Sequence, residues 1–283
     1  MDSDRKSGLM LHAAVMLFGL SAVLGRWISV PAVCVAGGRV VCSTLVLLIL
    51  CRWKKISTRL NSFRDGCFAV IAGVVLAVHW TTFFMAVQTA SVAVGTITFS
   101  TFPLFVTFLE PVIFRERLQA RGVVCACVLI AGVLITVPEF AVENETTLGI
   151  LWGLVSSFSY AILALFNRDL SAKYAAQTVC LYEQGTAAVV LLPFLVLTNV
   201  SWSVQDLGGI ALLGVVCTAL AHGLYVAAQK RVKAQTAGII SGMETVYGIL
   251  YAMLLLGEIP TPREWIGGGV ILAAAMSVSV GKR

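Results

Sequence analysis

Charge is what this chain has least of. Asp, Glu, Lys and Arg make up 12% of its 283 residues, roughly half the fraction usual in soluble domains. That scarcity excludes a water-soluble globule of this length, whose surface could not be covered. Histidine is scarce too, with three copies, and no run of His, Cys or acidic residues has metal-ligand spacing. There is no phosphate-cradling glycine loop, zinc-protease pattern or nucleophile elbow. An ATP-driven pump and a soluble enzyme are therefore not expected, and no metal or other cofactor is expected. The net charge of +6 does not indicate nucleic acid, because no basic stripe interleaves with aromatics.

What is present in excess is apolar sequence: 59% of the residues, with a mean hydropathy of +0.93. A bilayer core is crossed by about 20 apolar helical residues. Ten stretches meet that length, at 9–29, 32–51, 66–87, 92–114, 120–138, 148–167, 177–198, 206–228, 236–256 and 264–281. With the N-terminus inside, seventeen of the twenty Lys and Arg fall on one face, among them Lys54, Lys55, Arg115, Arg117, Lys230 and Lys282. Only Arg26 and Arg263 fall on the other, and Arg39 alone lies deep within a stretch. The positive-inside rule then predicts an all-α, multi-pass inner-membrane protein of ten helices, N-in and C-in. The first stretch runs straight into a second without a cleavage pattern, so it is expected to be retained. The eight cysteines sit mostly mid-stretch and read as small packing residues. Cys125 and Cys127 would point about 200° apart on a helix and form no chelating pair.

The chain resembles itself at an offset of 142 residues. Arg115-Glu116 then falls on Gly257-Glu258, Val128 to Gly132 on Val270 to Ala274, and Phe102-Pro103 on Glu244-Thr245. The expected units are 1–141 and 142–283, five helices each. Five is odd, so the second unit enters the membrane with opposite polarity, as in inverted-repeat carriers. Pro103 is the clearest interior breaker and is expected to kink the fourth stretch. Its counterpart, Thr245, predicts no matching kink in the ninth.

The pattern His79-Trp80-Thr81-Thr82-Phe83-Phe84-Met85-Ala86, Thr89-Ala90-Ser91, Phe102-Pro103 and Glu116 resembles the first half of an EamA-type member of the drug/metabolite transporter superfamily. Met243-Glu244-Thr245, Leu256-Gly257-Glu258 and Ile266-Gly267 resemble its second half. The chain departs from the family pattern at Thr245, where Glu-Pro is usual. The resemblance implies a ten-helix secondary carrier with a central cavity, moving a small metabolite by alternating access. It also implies an amino acid or related zwitterion as the first choice of substrate, with export the expected direction.

Ionisable side chains within a bilayer cost roughly 2.5–3.5 kcal/mol each on insertion scales, so those present are candidates. His79 and His222 fall on repeat-related helices. Either they line a cavity with Trp80 and Tyr225, or each satisfies a neighbouring polar group. Glu244 either binds a substrate amine or coupling proton, or is bonded to Ser241, Thr245 or a facing helix. Arg39 is read as snorkelling outward, and Glu183 as structural. Glu116 and Glu258 are read as capping or loop-bonding residues. Phe83, Ser100 and Tyr160 complete the expected substrate-binding set of His79, Trp80, Phe83, Ser100, Tyr160, His222, Tyr225 and Glu244, with Thr96, Thr98 and Asn167 as further polar groups. The expected partners are a small-molecule substrate and membrane lipid, with proton coupling and a homodimer left open. The rival within transport is efflux of multidrug or cationic compounds, which an aromatic cavity of Trp80, Phe83, Phe84, Phe99 and Tyr225 would suit. A membrane scaffold or embedded enzyme fits less well. The short loops leave no room for an output domain, and the ionisable groups are scattered rather than gathered at one depth.

Overall fold

The computed structural model describes residues 2–114, 118, 120–138, 141, 143–229 and 234–280. Arg115, Glu116, Arg117, Glu139, Lys230, Arg231, Lys233, Lys282 and Arg283 lie outside the described residues, so the expectations for Glu116 and for these basic residues fall there. Every regular element among the described residues is a helix: α1 (Asp2–Trp27), α2 (Ala32–Trp53), α3 (Phe63–Thr89), α4 (Val92–Phe99), α5 (Phe102–Phe114), α6 (Ala120–Thr136), α7 (Glu145–Lys173), α8 (Ala176–Leu197), α9 (Val204–Gly214), α10 (Ala221–Gln229), α11 (Ala234–Leu255) and α12 (Pro262–Val280). A π-helical segment, Val215–Leu220, joins α9 to α10. Seven spans are long and apolar enough to cross a bilayer, and the apolar helices 122–136 and 240–255 are shorter. The protein is thus a multi-pass membrane protein. Large apolar side chains such as Val189, Val196, Leu197 and Leu254 stand exposed on its outside, as a lipid-facing surface requires.

Short polar residues start the helices. Ser62, Ser91 and Asn144 each accept the backbone N–H three residues on, at 3.1 Å. Ser203 and Asp206 form a reciprocal capping box at the start of α9. Helix α7 runs well past the expected end at 167. Its polar last turn continues because Lys173 pairs with Asp169 at 2.7 Å and with Asp65 of α3 at 3.0 Å.

Two interruptions shape the interior. Pro103 does more than kink the fourth stretch, which separates into α4 and α5 at Ser100–Thr101. Proline has no N–H for the carbonyl of Phe99, and the Ser157 hydroxyl donates to that carbonyl instead, at 3.2 Å. Helix α11 passes Thr245 without a break. The π segment has no forecast in the sequence. It puts the Thr218 hydroxyl on the carbonyl of Leu213, five residues back, at 2.7 Å.

Close packing depends on glycine at a few crossings. A Cβ on Gly19 of α1 would stand 2.8 Å from the backbone nitrogen of Gly248 in α11. One on Gly267 of α12 would stand 2.7 Å from the carbonyl oxygen of Gly132 in α6. These helices approach backbone to backbone, as small residues permit in lipid.

Candidate functional site

The α4–α5 break and a set of aromatic side chains meet at one cavity in the bundle interior. All eight residues of the expected set line it: His79, Trp80 and Phe83 from α3, Ser100 from the break, Tyr160 from α7, His222 and Tyr225 from α10, and Glu244 from α11. Their convergence is local chemistry made spatial. His79 and Phe83 are one helical turn apart, as are His222 and Tyr225, so each pair shares a face. Phe18, Ser21, Phe102, Pro103, Ser241 and Gly242 also contribute, as does Phe99, which the multidrug alternative names, whereas Phe84 of that alternative is fully buried and does not line the cavity.

Arg39 is the main correction. It does not snorkel: it is 3% exposed and lines the cavity. Its guanidinium carbon lies 4.0 Å from the centre of the Trp80 ring and 5.3 Å from that of Phe84. Its Nε donates to Thr218 Oγ1 at 3.0 Å. A desolvated cation–π contact is worth about 2 kcal/mol, which offsets part of the burial cost. The π turn supplies the remaining geometry by aiming Thr218 at Nε. The available signal is that Arg39 lies farther from the ends of its expected span than any other basic residue.

The two histidines differ. His79 Nδ1 lies 3.0 Å from the carbonyl oxygen of Ser156 and 2.9 Å from its hydroxyl. A carbonyl only accepts, so that bond places a proton on Nδ1 and leaves Nε2 as an acceptor. His79 therefore both satisfies a neighbouring backbone and lines the cavity, among the rings of Phe99 and Tyr160 at 5.3 and 5.0 Å. His222 packs between Phe18 and Trp80, at 5.6 and 5.7 Å, and its Nδ1 is buried with no hydrogen-bond partner.

Glu244 is half-buried at the cavity wall. Among the described residues no hydrogen bond or ion pair holds its carboxylate. The groups expected to bond it are engaged with others. Ser241 meets the Tyr225 hydroxyl at 2.9 Å. Thr245 meets Ser100 at 2.5 Å and donates to the carbonyl of Thr96 at 3.1 Å. The cavity thus presents one cation and one carboxylate, both with free valence, on an aromatic wall.

At one end of the bundle a polar network joins four elements. Arg26 of α1 pairs with Glu258 at 3.0 Å. Glu258 also accepts the N–H of Val92, at the start of α4, at 3.0 Å. Arg26 donates to the carbonyl of Gln88, and Gln88 donates to the carbonyls of Gly25 and Val30 at 3.0 and 3.1 Å. Glu258 is a capping residue, as expected, but of α4 rather than of its own helix. Gly257 before it adopts φ +69°, a left-handed turn that favours glycine.

The sequence profile of the EamA-like transporter family matches residues 6–137 and again 147–280. An uncharacterized transporter of Archaeoglobus fulgidus is 30% identical over 68% of this chain and 68% of its own length. The uncharacterized inner membrane transporter YicL of Salmonella typhimurium is 25% identical, covering 100% of this chain and 98% of its own. A probable amino-acid metabolite efflux pump of the same bacterium is 25% identical over 62% and 63% of the two chains. One solved crystal structure superposes with a TM-score of 0.69, at 16% identity, over 97% of both chains, a likeness of fold.

Proposed function

The chain belongs to the EamA-like transporter family, and on that premise we propose that this membrane transporter is a secondary carrier exporting an amino acid or related zwitterion by alternating access. One observation carries the substrate class. Arg39 and Glu244 face the same aromatic cavity without being paired to each other. Opposite charges held apart match a molecule that is itself dipolar. Arg39 takes the carboxylate and Glu244 the ammonium group, while Trp80, Phe83, Phe99 and Tyr160 enclose the side chain. His79, Ser100, His222 and Tyr225 supply hydrogen-bonding groups around it. The efflux-pump relative supports both the class and the direction.

The architecture that goes with this reading is ten spans in two inverted repeats, 1–141 and 142–283, N-in and C-in, in the inner membrane. The two profile matches support the repeat. So does the pairing of helices. Helix α3 packs on α7 as α9–α10 packs on α1, and α4–α5 packs on α7 as α11 packs on α1. The pairs α2 with α8 and α6 with α12 map onto themselves. Rocking of one half on the other would expose the cavity alternately. The Arg26–Glu258 network then lies at the outer end, where it must open for release.

Efflux of cationic drugs is the second reading, and the aromatic wall favours it. Arg39 opposes it, because an organic cation in this cavity meets a buried positive charge. The test is exchange of labelled amino acids in proteoliposomes against exchange of a lipophilic cation such as tetraphenylphosphonium. Preferential exchange of the cation overturns the zwitterion assignment.

A further inference from the structure

A second polar locus lies where α8 packs against α2, α3 and α7, and its residues do not line the cavity. Glu183 of α8 is 2% exposed, and its Oε1 has no hydrogen-bond partner. Gln184 beside it is fully buried with both side-chain polar atoms unpartnered. Asn167 of α7 faces Glu183, and the Asn167 Oδ1 is buried and unpartnered as well. At Gly73 of α3 there is no room for a compensating side chain, since a Cβ there would stand 2.6 Å from the Glu183 carbonyl oxygen.

The other ionisable groups on the surrounding helices contact other residues or stand exposed, as Arg52 of α2 and Arg64 of α3 do. On α2, Arg39 holds Thr218 and Trp80, and Cys42 and Cys51 carry only thiols. On α3, Asp65 is held by Lys173 and Tyr174, and His79 by Ser156. On α7, Arg168 pairs with Glu110 and Lys173 with Asp65 and Asp169, while Tyr160 faces the cavity. On α10, His222 and Tyr225 face the cavity. On α8 itself, Cys180 is a thiol and Tyr182 donates to the carbonyl of Thr58. Among the described residues no Lys, Arg or His lies in ion-pair contact with Glu183.

Among the described residues, only the Asn167 side chain offsets the desolvation of a carboxylate in such a place, and a proton removes that cost by neutralising it. We propose that Glu183 is a proton-binding site of the carrier, separate from the substrate cavity, whose loading and release couple proton entry to substrate export. Oε1 takes one proton, and the resulting hydroxyl donates to Oδ1 of Asn167, which lacks a donor. Release occurs when rocking of α8 against α7 admits water. A bound metal cation would need about six oxygen ligands, whereas the polar neighbour facing this carboxyl is Asn167. Glu244 is left to bind the substrate amine.

This inference rests on the carrier reading, so the experiment has two independent readouts. Infrared difference spectra of the protein in lipid, recorded between acid and alkaline buffer, show a titrating protonated-carboxyl band in the wild type. The band is lost in Glu183→Gln and kept in Glu244→Gln. In proteoliposomes, Glu183→Gln keeps counterflow exchange of labelled L-phenylalanine and loses its pH-gradient-driven accumulation. A band that survives in Glu183→Gln, or accumulation that survives or follows a Na⁺ gradient, overturns the proposal. If Glu183→Gln does not fold, Asn167→Leu replaces it and shifts the frequency of the band; an unshifted band overturns the proposal equally. A band that behaves as stated in a protein that exchanges no amino acid leaves Glu183 as the proton site and refutes the substrate assignment alone.

Discussion

The hydroxyl of Thr245 lies 2.5 Å from the hydroxyl of Ser100, at the point where the fourth span breaks and α11 runs on unbroken. Thr245 also donates to the carbonyl of Thr96, one turn before the break. Thr245 therefore links the unbroken helix to the broken one.

That link has a measurable cost. Thr245→Val keeps the shape and removes both bonds, and is expected to destabilise the protein by about 1 kcal/mol. Ser100→Ala removes the shared partner. The double variant should fall short of the sum of the singles by about 0.5 kcal/mol or more. Thermal unfolding of the detergent-solubilised protein reads this directly, and strict additivity would mean that the two hydroxyls do not interact.

Arg39 is expected to tolerate no basic substitute. Lysine keeps the charge but loses the planar face on Trp80 and the Nε bond to Thr218. A charge-assisted bond to a carboxylate is worth about 1.5–3 kcal/mol, or roughly tenfold to hundredfold in affinity. The wild type should prefer an amino acid over its amide by that factor, and Arg39→Lys should lose most of the preference. Competition binding with the two ligands measures it. An unchanged preference in Arg39→Lys would place the carboxylate elsewhere.

The Arg26–Glu258 network predicts an order of effects. Arg26 is about a third exposed, with a side-chain exposure of 34%, so its ion pair contributes little on its own. Glu258 also satisfies the first N–H of α4, where a negative charge is favoured by the helix dipole. Glu258→Ala should cost about 1–2 kcal/mol, more than Arg26→Ala. Melting temperatures of the two variants decide it, and the reverse order would assign the stability to the pair rather than to the cap.

Lipid made much of this fold readable. A bilayer imposes a length on every crossing, so apolar stretches such as 32–51 and 177–198 foretold α2 and α8 within a few residues. The same medium makes polar side chains conspicuous, which is why His79, Tyr160, His222 and Glu244 could be picked out before their convergence was known. The place of Arg39 is not legible in the sequence, because depth along a span does not say which way a long side chain turns. Its burial depends on Trp80 and on a π turn, and Val215–Leu220 carries no residue that announces one. Pro103 announced an interruption, but whether a helix bends or separates depends on neighbours such as Ser157 that take up the freed carbonyl.

The most direct test of the central claim is counterflow exchange of a panel of labelled amino acids in proteoliposomes, comparing wild type with Arg39→Met and Glu244→Gln. The dipolar cavity predicts exchange of at least one amino acid by the wild type, abolished in both variants while the purified proteins keep their fold. Exchange that survives both substitutions, or a wild type that exchanges no amino acid, would contradict it.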